Sequence, residues 1–322
     1  MKKLIFTTIL VFVSLLFSSC SNDDDAIIIT QPQNTIADFV GNNSDYSSLK
    51  AALDRADLTN VLSGSAQYTV FAPNNDAFDA FLLNNGFSTL EEIPVSVLQQ
   101  VLLNHVIQGL NISTNLSTGY VKTMAEESST SNKIDMFLNT SSGVEINGGT
   151  QVVSADILVD NGVIHAVNNV INLPTVVTFA TADSTFSTLV AALTRENTFT
   201  YVTTLSTVNG TSPAPFTVFA PTNDAFGDLL VELNAPSLDD IATATLEASL
   251  NTHVVGNANV LSSTLTNGMT ITTLGDTFTI NTTSGVTFLD QNDRTGNVIV
   301  ADVQASNGII HVIDQVILPN LN

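Results

Sequence analysis

One stretch of sequence occurs twice in this chain, and the distance between its copies sets the domain organisation. Residues 69–78 read TVFAPNNDAF, and residues 217–226, which begin 148 positions later (217 minus 69), read TVFAPTNDAF. The four histidines follow the same repeat and form two pairs, His105 with His253 and His165 with His311. This period exceeds the roughly 20–50 residues of a solenoid unit and matches a whole domain. We therefore predict two homologous modules, residues 34–174 (module 1) and residues 175–322 (module 2).

The N-terminus predicts export and lipid anchoring. Lys2 and Lys3 precede an apolar run over residues 4–17, which is too short for an ordinary spanning helix. Two serines then lead into Cys20, the only cysteine, an arrangement that resembles a bacterial lipobox. The resemblance implies that residues 1–19 are a signal peptide and that Cys20 is lipidated. The alternative is a secreted protein with an incidental cysteine.

An acidic segment follows the cysteine and bears on localisation. Asp23, Asp24 and Asp25 resemble the signal that sends some lipoproteins to the outer leaflet of the outer membrane, although a plain solvated linker has the same composition. We expect an outer membrane lipoprotein exposed at the cell surface, with residues 20–33 as its tether. Its partners are then the membrane, through the lipid anchor, and ligands outside the cell.

Charge and composition exclude one class of partner and constrain the core. The formal net charge of −22 repels nucleic acid, so no nucleic-acid partner is expected. With Cys20 lipidated, no thiol remains for a disulfide, and each module depends on its own hydrophobic core. A module of about 140 residues is long enough to bury one.

Hydrophobic patterning predicts an α+β fold in each module, helices first and strands later. In module 1, apolar spacing predicts helices over residues 47–58 and 91–106, with a strand over 68–72 between them. Pro73 ends that strand, and Asn74 or Asn75 caps a further helix. Beyond residue 109 the pattern changes to strands. Turns are predicted at residues 147–149 and 161–162, and the last strand over residues 163–171.

Module 2 repeats this order with two differences in its connections. About eight extra residues lie between its first helix and Phe216, in a Thr-, Ser-, Asn- and Gly-rich loop over residues 204–215. Almost nothing separates Pro174 from the start of module 2 near Val176. So short a link predicts a constrained arrangement of the two modules.

The repeated motifs resemble the two hallmarks of the fasciclin (FAS1) domain. The TVFAPxNDAF segment is similar to the first hallmark, and Gly-Val-Ile-His or Gly-Ile-Ile-His, followed by a hydrophobic strand and Leu-Pro, is similar to the second. The resemblance covers residues 34–318 and implies two tandem FAS1-like domains, each a β-sandwich wedge flanked by helices. The residues assigned to the structural motifs are Thr69, Phe71, Pro73, Asp76, Phe78, His105 and His165 in module 1, and Thr217, Phe219, Pro221, Asp224, Phe226, His253 and His311 in module 2.

The same resemblance implies adhesion, because FAS1 domains occur in extracellular and membrane-anchored proteins that bind matrix, polysaccharide or other cells. In some animal members, short Asp-Ile motifs beside the second hallmark contact integrins. Those positions carry Asp156-Ile157 and Asp302-Val303 here, and they are the candidate adhesion contacts. The alternative is that both aspartates cap a turn. The tyrosine of the family's Tyr-His segment is replaced by Asn104 and Thr252, which argues against an integrin partner.

The residues do not indicate catalysis, a metal or a cofactor. No Cys or second His lies at ligand spacing from any histidine, so we interpret the histidines as structural. Asp76 and Asp224 are interpreted as helix-start residues, and residues 290–297 as a hairpin loop rather than a calcium loop. No nucleophile elbow or phosphate-binding loop is found. We therefore predict a protein that is not an enzyme.

Two functions fit these observations. The first is surface adhesion, with tandem FAS1 domains binding extracellular glycans or proteins through many weak contacts. The second is a structural envelope or biofilm-matrix protein that acts by self-association. A third hypothesis is an accessory capture lipoprotein of a nutrient-uptake system.

Overall fold

The computed structural model describes residues 34–320, in which the two modules form one compact unit. The signal peptide, Cys20 and the acidic tether lie outside the described residues. The α+β prediction is confirmed: each module combines five α-helices with a seven-stranded sheet, whose first strand precedes the last two α-helices and whose other six strands follow them.

Module 1 packs five α-helices against a sheet that closes on itself. The order along the sheet is β1-β2-β3-β4-β5-β6-β7, and a pairing of Ile107 with Thr123 joins β2 to β3 in the closed barrel. The helices are α1 (Ile36–Asn42), α2 (Ser47–Arg55), α3 (Thr59–Leu62), α4 (Asn75–Asn84) and α5 (Val95–Leu103). The strands are β1 (Tyr68–Pro73), β2 (Val106–Gln108), β3 (Gly119–Glu126), β4 (Lys133–Asn139), β5 (Glu145–Ile146), β6 (Thr150–Val159) and β7 (Gly162–Val167).

Module 2 repeats the order with an open sheet, β10-β11-β12-β13-β14-β8-β9. Its third strand, β10, covers three residues where β3 covers eight, so the strand that closes the barrel in module 1 is too short here. The helices are α6 (Val176–Ala182), α7 (Ser187–Leu193), α8 (Tyr201–Leu205), α9 (Asn223–Glu232) and α10 (Thr243–Thr252). The strands are β8 (Phe216–Pro221), β9 (Val254–Gly256), β10 (Thr270–Thr272), β11 (Thr277–Asn281), β12 (Thr287–Leu289), β13 (Thr295–Ala305) and β14 (Gly308–Ile313).

The two hallmark motifs meet as neighbouring parallel strands. Strand β1 pairs with β7 so that Phe71 lies opposite His165, and β8 pairs with β14 so that Phe219 lies opposite His311. Successive residues of β1 face opposite sides: Phe71 packs inside the barrel, whereas its neighbours pack under the helices. The sheet therefore separates two apolar clusters in each module.

The single difference between the two copies of the first motif falls on a helix cap. Asn74 Oδ1 accepts a hydrogen bond from the Ala77 amide at 2.9 Å, and Thr222 Oγ1 does the same for Ala225 at 3.2 Å. Both residue types are good N-caps, so the exchange preserves the helix start. The next residue, Asn75, has another role, since its side-chain Oδ1 accepts a hydrogen bond from the Ser48 backbone amide of α2 at 2.9 Å.

Two predicted elements are too long. The helix predicted over residues 91–106 is α5 alone, because Pro94 lacks an amide hydrogen and forces the preceding residue out of helical geometry. His105 therefore lies in the turn after α5 and not on its face. The last strand, predicted over residues 163–171, ends at Val167.

The Asn-Gly pair before each second hallmark is both a turn and a buried clamp. Asn161 Oδ1 accepts from the Ile36 amide at 2.8 Å, and its Nδ2 donates to the carbonyls of Leu62 at 2.7 Å and Gly64 at 2.8 Å. Asn307 makes the equivalent three bonds in module 2. The side chain thus fastens the start of α1 and the end of α3 to the sheet.

A buried carboxylate joins the two modules. Asp135 on β4 accepts from Lys122 Nζ at 2.6 Å and from the backbone amide of Gln304 on β13 at 2.6 Å. Lys122 Nζ also donates to the Asp302 carbonyl at 3.0 Å. Burial raises the pKa of Asp135 above its ordinary value, against the lowering effect of Lys122.

Apolar contacts support this junction. Phe137 of module 1 belongs to the core cluster of module 2, where Phe179 also packs. Tyr120 stacks edge-on against Phe179 with ring centroids 5.3 Å apart, and its hydroxyl donates to Asp183 Oδ2 at 3.0 Å. The modules therefore share a core, as the short link predicts.

We predict that Asn161→Ala lowers the free energy of unfolding by about 3 kcal/mol, because it leaves one buried amide and two carbonyls without their partner. Urea denaturation followed by circular dichroism measures the loss. Asn60→Ala is the control, since the Asn60 side chain is exposed and makes no hydrogen bond within residues 34–320. Equal urea midpoints for the two variants would contradict a stabilising role of the Asn161 side-chain hydrogen bonds.

We predict that Asp135→Ala uncouples the modules and lowers stability by about 2 kcal/mol, since it leaves the Gln304 amide buried and unpaired. Differential scanning calorimetry should show one cooperative transition for the native chain and two for the variant. Asp79→Ala, at an exposed position on α4, should retain a single transition. An unsplit, unshifted transition for Asp135→Ala would argue against a junction held at this carboxylate.

Candidate binding surface

Asp156, the first candidate contact residue, occupies a bulge in β6 where its own backbone is left-handed. The pairing of β6 with β7 shifts register between Ser154 and Ile157, and Asp156 between them has φ of 62°. Its carboxylate accepts from the Ser113 amide at 2.7 Å and from the Ser113 hydroxyl at 2.5 Å. These two bonds hold the pKa of Asp156 below its ordinary value.

A histidine supports the bulge from behind. His165 Nδ1 accepts from the Asp156 amide at 3.2 Å, and its Nε2 donates to the Asn111 carbonyl at 2.9 Å. The second hallmark histidine therefore connects the bulge to the loop after β2. The carboxylate orders the same loop through Ser113.

Module 2 repeats this arrangement. We call it the Asp156 unit in module 1 (Asp156, Ser113 and His165) and the Asp302 unit in module 2 (Asp302, Ser262 and His311). Asp302 has φ of 62°, and its carboxylate accepts from the amide and the hydroxyl of Ser262. His311 Nδ1 accepts from the Asp302 amide at 3.3 Å, and burial lowers the pKa of His311. Ser113 and Ser262 are not among the sequence candidates. The signal for them is their repeat spacing of 149 (262 minus 113).

The two units differ in what covers them. The sequence places Asp156-Ile157 and Asp302-Val303 at equivalent positions, but Val303 is only 3% exposed and the backbone of Asp302 is bonded to Lys122 of module 1. Asp302 is half-buried and Val303 is buried, because module 1 packs on that part of β13. Asp156 stays exposed and Ile157 half-buried.

Exposed apolar side chains accompany the open unit. On β6, Val153 is 64% exposed and Leu158 is 63% exposed. The position that corresponds to Leu158 in module 2 is Gln304, which is 1% exposed and bonded across the junction. The strand of module 1 thus offers a mixed acidic and apolar surface at Asp156 and Leu158, whereas in module 2 the end of the strand from Val303 to Ala305 is buried and only its earlier part, with Ile299 52% exposed, stays open.

The remaining histidines connect the helical layer to the end of each module. His105 Nδ1 donates to the Val101 carbonyl at 2.7 Å, and its Nε2 accepts from the Ile171 amide at 2.8 Å. His253 does the same between Ser249 and Ile317. Burial lowers the pKa of both imidazoles to about 4, so they are neutral. Both ring nitrogens of each histidine are therefore hydrogen-bonded within the protein.

Within residues 34–320, no group of three or more His, Cys, Asp or Glu side chains is arranged to hold a metal ion. No single described helix is long and apolar enough to cross a membrane; α6 and Ser184–Leu193 reach that length only together, across a 93° bend.

Comparison with known proteins identifies the repeated unit. The Fasciclin domain family matches residues 44–174 and 184–319. A protein of Synechocystis sp., Protein sll1483, is 35% identical over 145 residues, which cover 45% of this chain and 77% of the relative. Human periostin is 28% identical over 213 residues, which cover 62% of this chain and 22% of periostin.

A solved structure shares the fold. A FAS1 domain pair from the insect cell adhesion molecule Fasciclin I aligns with a TM-score of 0.51 at 19% identity, covering 87% of this chain and 98% of that one. At this identity the likeness shows the fold. The predicted tandem FAS1 fold is confirmed.

We predict that the chain loses stability on mild acidification because of His105 and His253. An unfolded histidine binds its proton near pH 6.5, whereas these two remain neutral in the fold to about pH 4. The unfolded state therefore binds more protons in this window. The contribution of the two neutral histidines to the free energy of unfolding is present above about pH 6.5 and is lost as the pH drops. The loss is about 2 kcal/mol per histidine between about pH 7.5 and pH 5.

Urea denaturation across this pH range tests the expectation. His105→Gln should remove about 2 kcal/mol of the pH dependence even though it lowers stability at every pH, because His253 and His311, whose pKa values are also lowered by burial, still titrate. Wild-type stability that is flat between these pH values would show that neither imidazole is held neutral.

Proposed function

The chain belongs to the fasciclin family, and on that premise we propose that it is a non-enzymatic cell-surface adhesion protein. Its tandem FAS1 domains bind glycans or proteins outside the cell. A lipid on Cys20 anchors it to the outer membrane, and residues 20–33 carry the modules away from the bilayer. The solved pair that shares this fold comes from a protein described as a cell adhesion molecule.

One observation supports the proposal most strongly: the open Asp156 unit of module 1. Its carboxylate and bulge are fixed by Ser113 and His165, so the neighbouring side chains are presented by ordered backbone. Val153 and Leu158 are exposed beside it. An ordered polar group next to exposed apolar side chains is the composition of a protein-binding patch.

The junction between the modules favours this surface over its copy. Module 2 presents the same bulge, but Lys122 and Asp135 of module 1 bind its backbone at Asp302 and Gln304. One copy of the repeat therefore holds the pair together, and the other remains free for a ligand. Weak single contacts are multiplied when many lipid-anchored copies face one surface.

We predict that Leu158→Ser reduces attachment of intact cells to a coated surface about tenfold or more, because truncating a central apolar contact removes much of the binding energy. Attachment is counted on surfaces coated with glycans or matrix proteins, in a strain whose own gene is deleted. Val231→Ser is the matched control: this valine is 79% exposed on α9, away from β6.

Two further strains make the result interpretable. A Cys20→Ala strain should release the chain and fail to attach, and the released protein should block attachment of wild-type cells. If the deletion strain attaches as well as wild type to every coating, adhesion is contradicted. Concentration-dependent self-assembly of the released chain in that case would favour the envelope or matrix function.

A further inference from the structure

Module 1 contains a cavity of about 390 Å³ that the Asp156 unit does not touch. It lies between α4, the turn that joins β5 to β6, and the segment after β7, with Thr178 of α6 at its border. Its volume is in the range of small-molecule sites. Phe81 and Leu173 supply apolar surface.

Five asparagines line this cavity, and within residues 34–320 no charged side chain does: Asn84, Asn85, Asn147, Asn169 and Asn172. Each amide side chain has two donor hydrogens and a carbonyl acceptor. This neutral lining stands out in a chain with 30 acidic residues.

Several of these amides lack partners in the part of the chain that the structure describes. Asn147 Oδ1 accepts from the Phe137 amide at 2.8 Å, whereas its buried Nδ2 has no hydrogen-bond partner. The side chains of Asn84 and Asn172 make no hydrogen bond to described residues. Asn84 and Asn172 are exposed, so their amides are accessible to a polar ligand, whereas Asn147 Nδ2 has almost no accessible surface.

Module 2 provides an internal comparison, because an arginine occupies the corresponding region beside Glu232 and Val316, while Asp228 and Gln315, the counterparts of Ala80 and Asn169, border a separate cleft of about 580 Å³. Arg294 donates to Glu232 Oε2 at 2.8 Å, to Asp290 Oδ2 at 3.1 Å and to the Val316 carbonyl at 2.7 Å. Glu232 is the repeat counterpart of Asn84 (84 plus 148), and Val316 is the counterpart of Val170 (170 plus 146). Both counterparts line the cavity of module 1.

The difference follows from the length of one hairpin. The Val152 amide donates to Val144 in module 1, and the Val298 amide donates to Val286 in module 2, so these pairs are equivalent. The two paired valines are separated by 8 residues in module 1 (152 minus 144) and by 12 residues in module 2 (298 minus 286). The four extra residues carry Arg294 and Asp290 into the site, and the shorter turn of module 1 leaves it open.

The charges of the site select the class of ligand. In module 2 the carboxylates of Glu232 and Asp290 bind a cation, the Arg294 guanidinium. In module 1 Asn84 replaces Glu232, and no acidic residue lines the cavity. An anion meets no cationic group there and a net charge of −22 around it. A neutral, hydroxyl-rich molecule suits amide donors and acceptors beside an apolar wall.

We propose that this cavity binds an uncharged sugar residue of an extracellular glycan. The inference rests on the proposed surface function and names a ligand class for module 1. The exposed amides of Asn84 and Asn172 hydrogen-bond sugar hydroxyls, and Phe81 and Leu173 contact its apolar face.

Titration of the full chain, purified in a detergent without sugar groups, tests this inference. The neutral probes are glucose, galactose, mannose, cellobiose and lactose; galacturonate and arginine methyl ester are the anionic and cationic probes. Isothermal calorimetry and ligand-observed NMR should show one neutral-sugar site per chain, with the charged probes bound at least about tenfold more weakly.

Matched variants in the two modules locate the site. Ala80→Phe places a ring in the cavity and should weaken sugar binding about tenfold or more, whereas Asp228→Phe, at the repeat counterpart (80 plus 148), should leave it unchanged. Asn84→Ala should weaken binding severalfold without changing stability, since its side chain makes no hydrogen bond to described residues.

Three results overturn the inference: no neutral probe binds, Ala80→Phe binds as well as the native chain, or arginine methyl ester binds more tightly than every sugar. Cell attachment is the separate readout for the proposed function. Normal attachment without sugar binding contradicts the cavity assignment alone. Sugar binding at the cavity in a chain whose deletion leaves attachment intact contradicts adhesion alone.

Discussion

Each module is organised around the parallel pairing of its two motif strands, β1 with β7 and β8 with β14. Glycine is required for that pairing, because a Cβ on Gly162 would lie 2.0 Å from the Tyr68 carbonyl oxygen and one on Gly308 would lie 2.4 Å from that of Phe216. The asparagine before each glycine ties the helical layer to the same sheet. The histidine three residues later fixes the bulge that carries the candidate contacts.

Joining two copies of one fold makes their surfaces unequal. The end of β13, just after the bulge of module 2, is covered by module 1, and a buried aspartate, Asp135 of β4, accepts the Gln304 amide there. The equivalent bulge of module 1 has no such neighbour within residues 34–320 and stays exposed. A similar asymmetry affects the cavities, where Arg294 fills one site and five asparagines line the other. Duplication therefore supplies one copy for assembly and leaves the other for recognition.

Much of this could be predicted from local sequence, and the failures have physical causes. The cap at Asn74 and the turns at residues 147–149 and 161–162 follow from side-chain chemistry near each position. The helix over residues 91–106 was predicted too long, because apolar spacing continues through Pro94 although the helix cannot. Asn161 was recognised as a turn residue, but its buried partners lie about 100 residues or more away in sequence and no local pattern reveals them.

The sequence by itself determined the duplication, the family and the α+β fold, because repeated motifs and periodic apolar residues report on contacts that each module makes within itself. Only the tertiary structure decided which Asp-Ile or Asp-Val unit is exposed and which cavity is open. Those properties depend on Lys122 and Asp135 meeting β13, and on the hairpin that carries Arg294 reaching Glu232. Both are contacts between segments distant in sequence, and equal motifs acquire unequal roles through them.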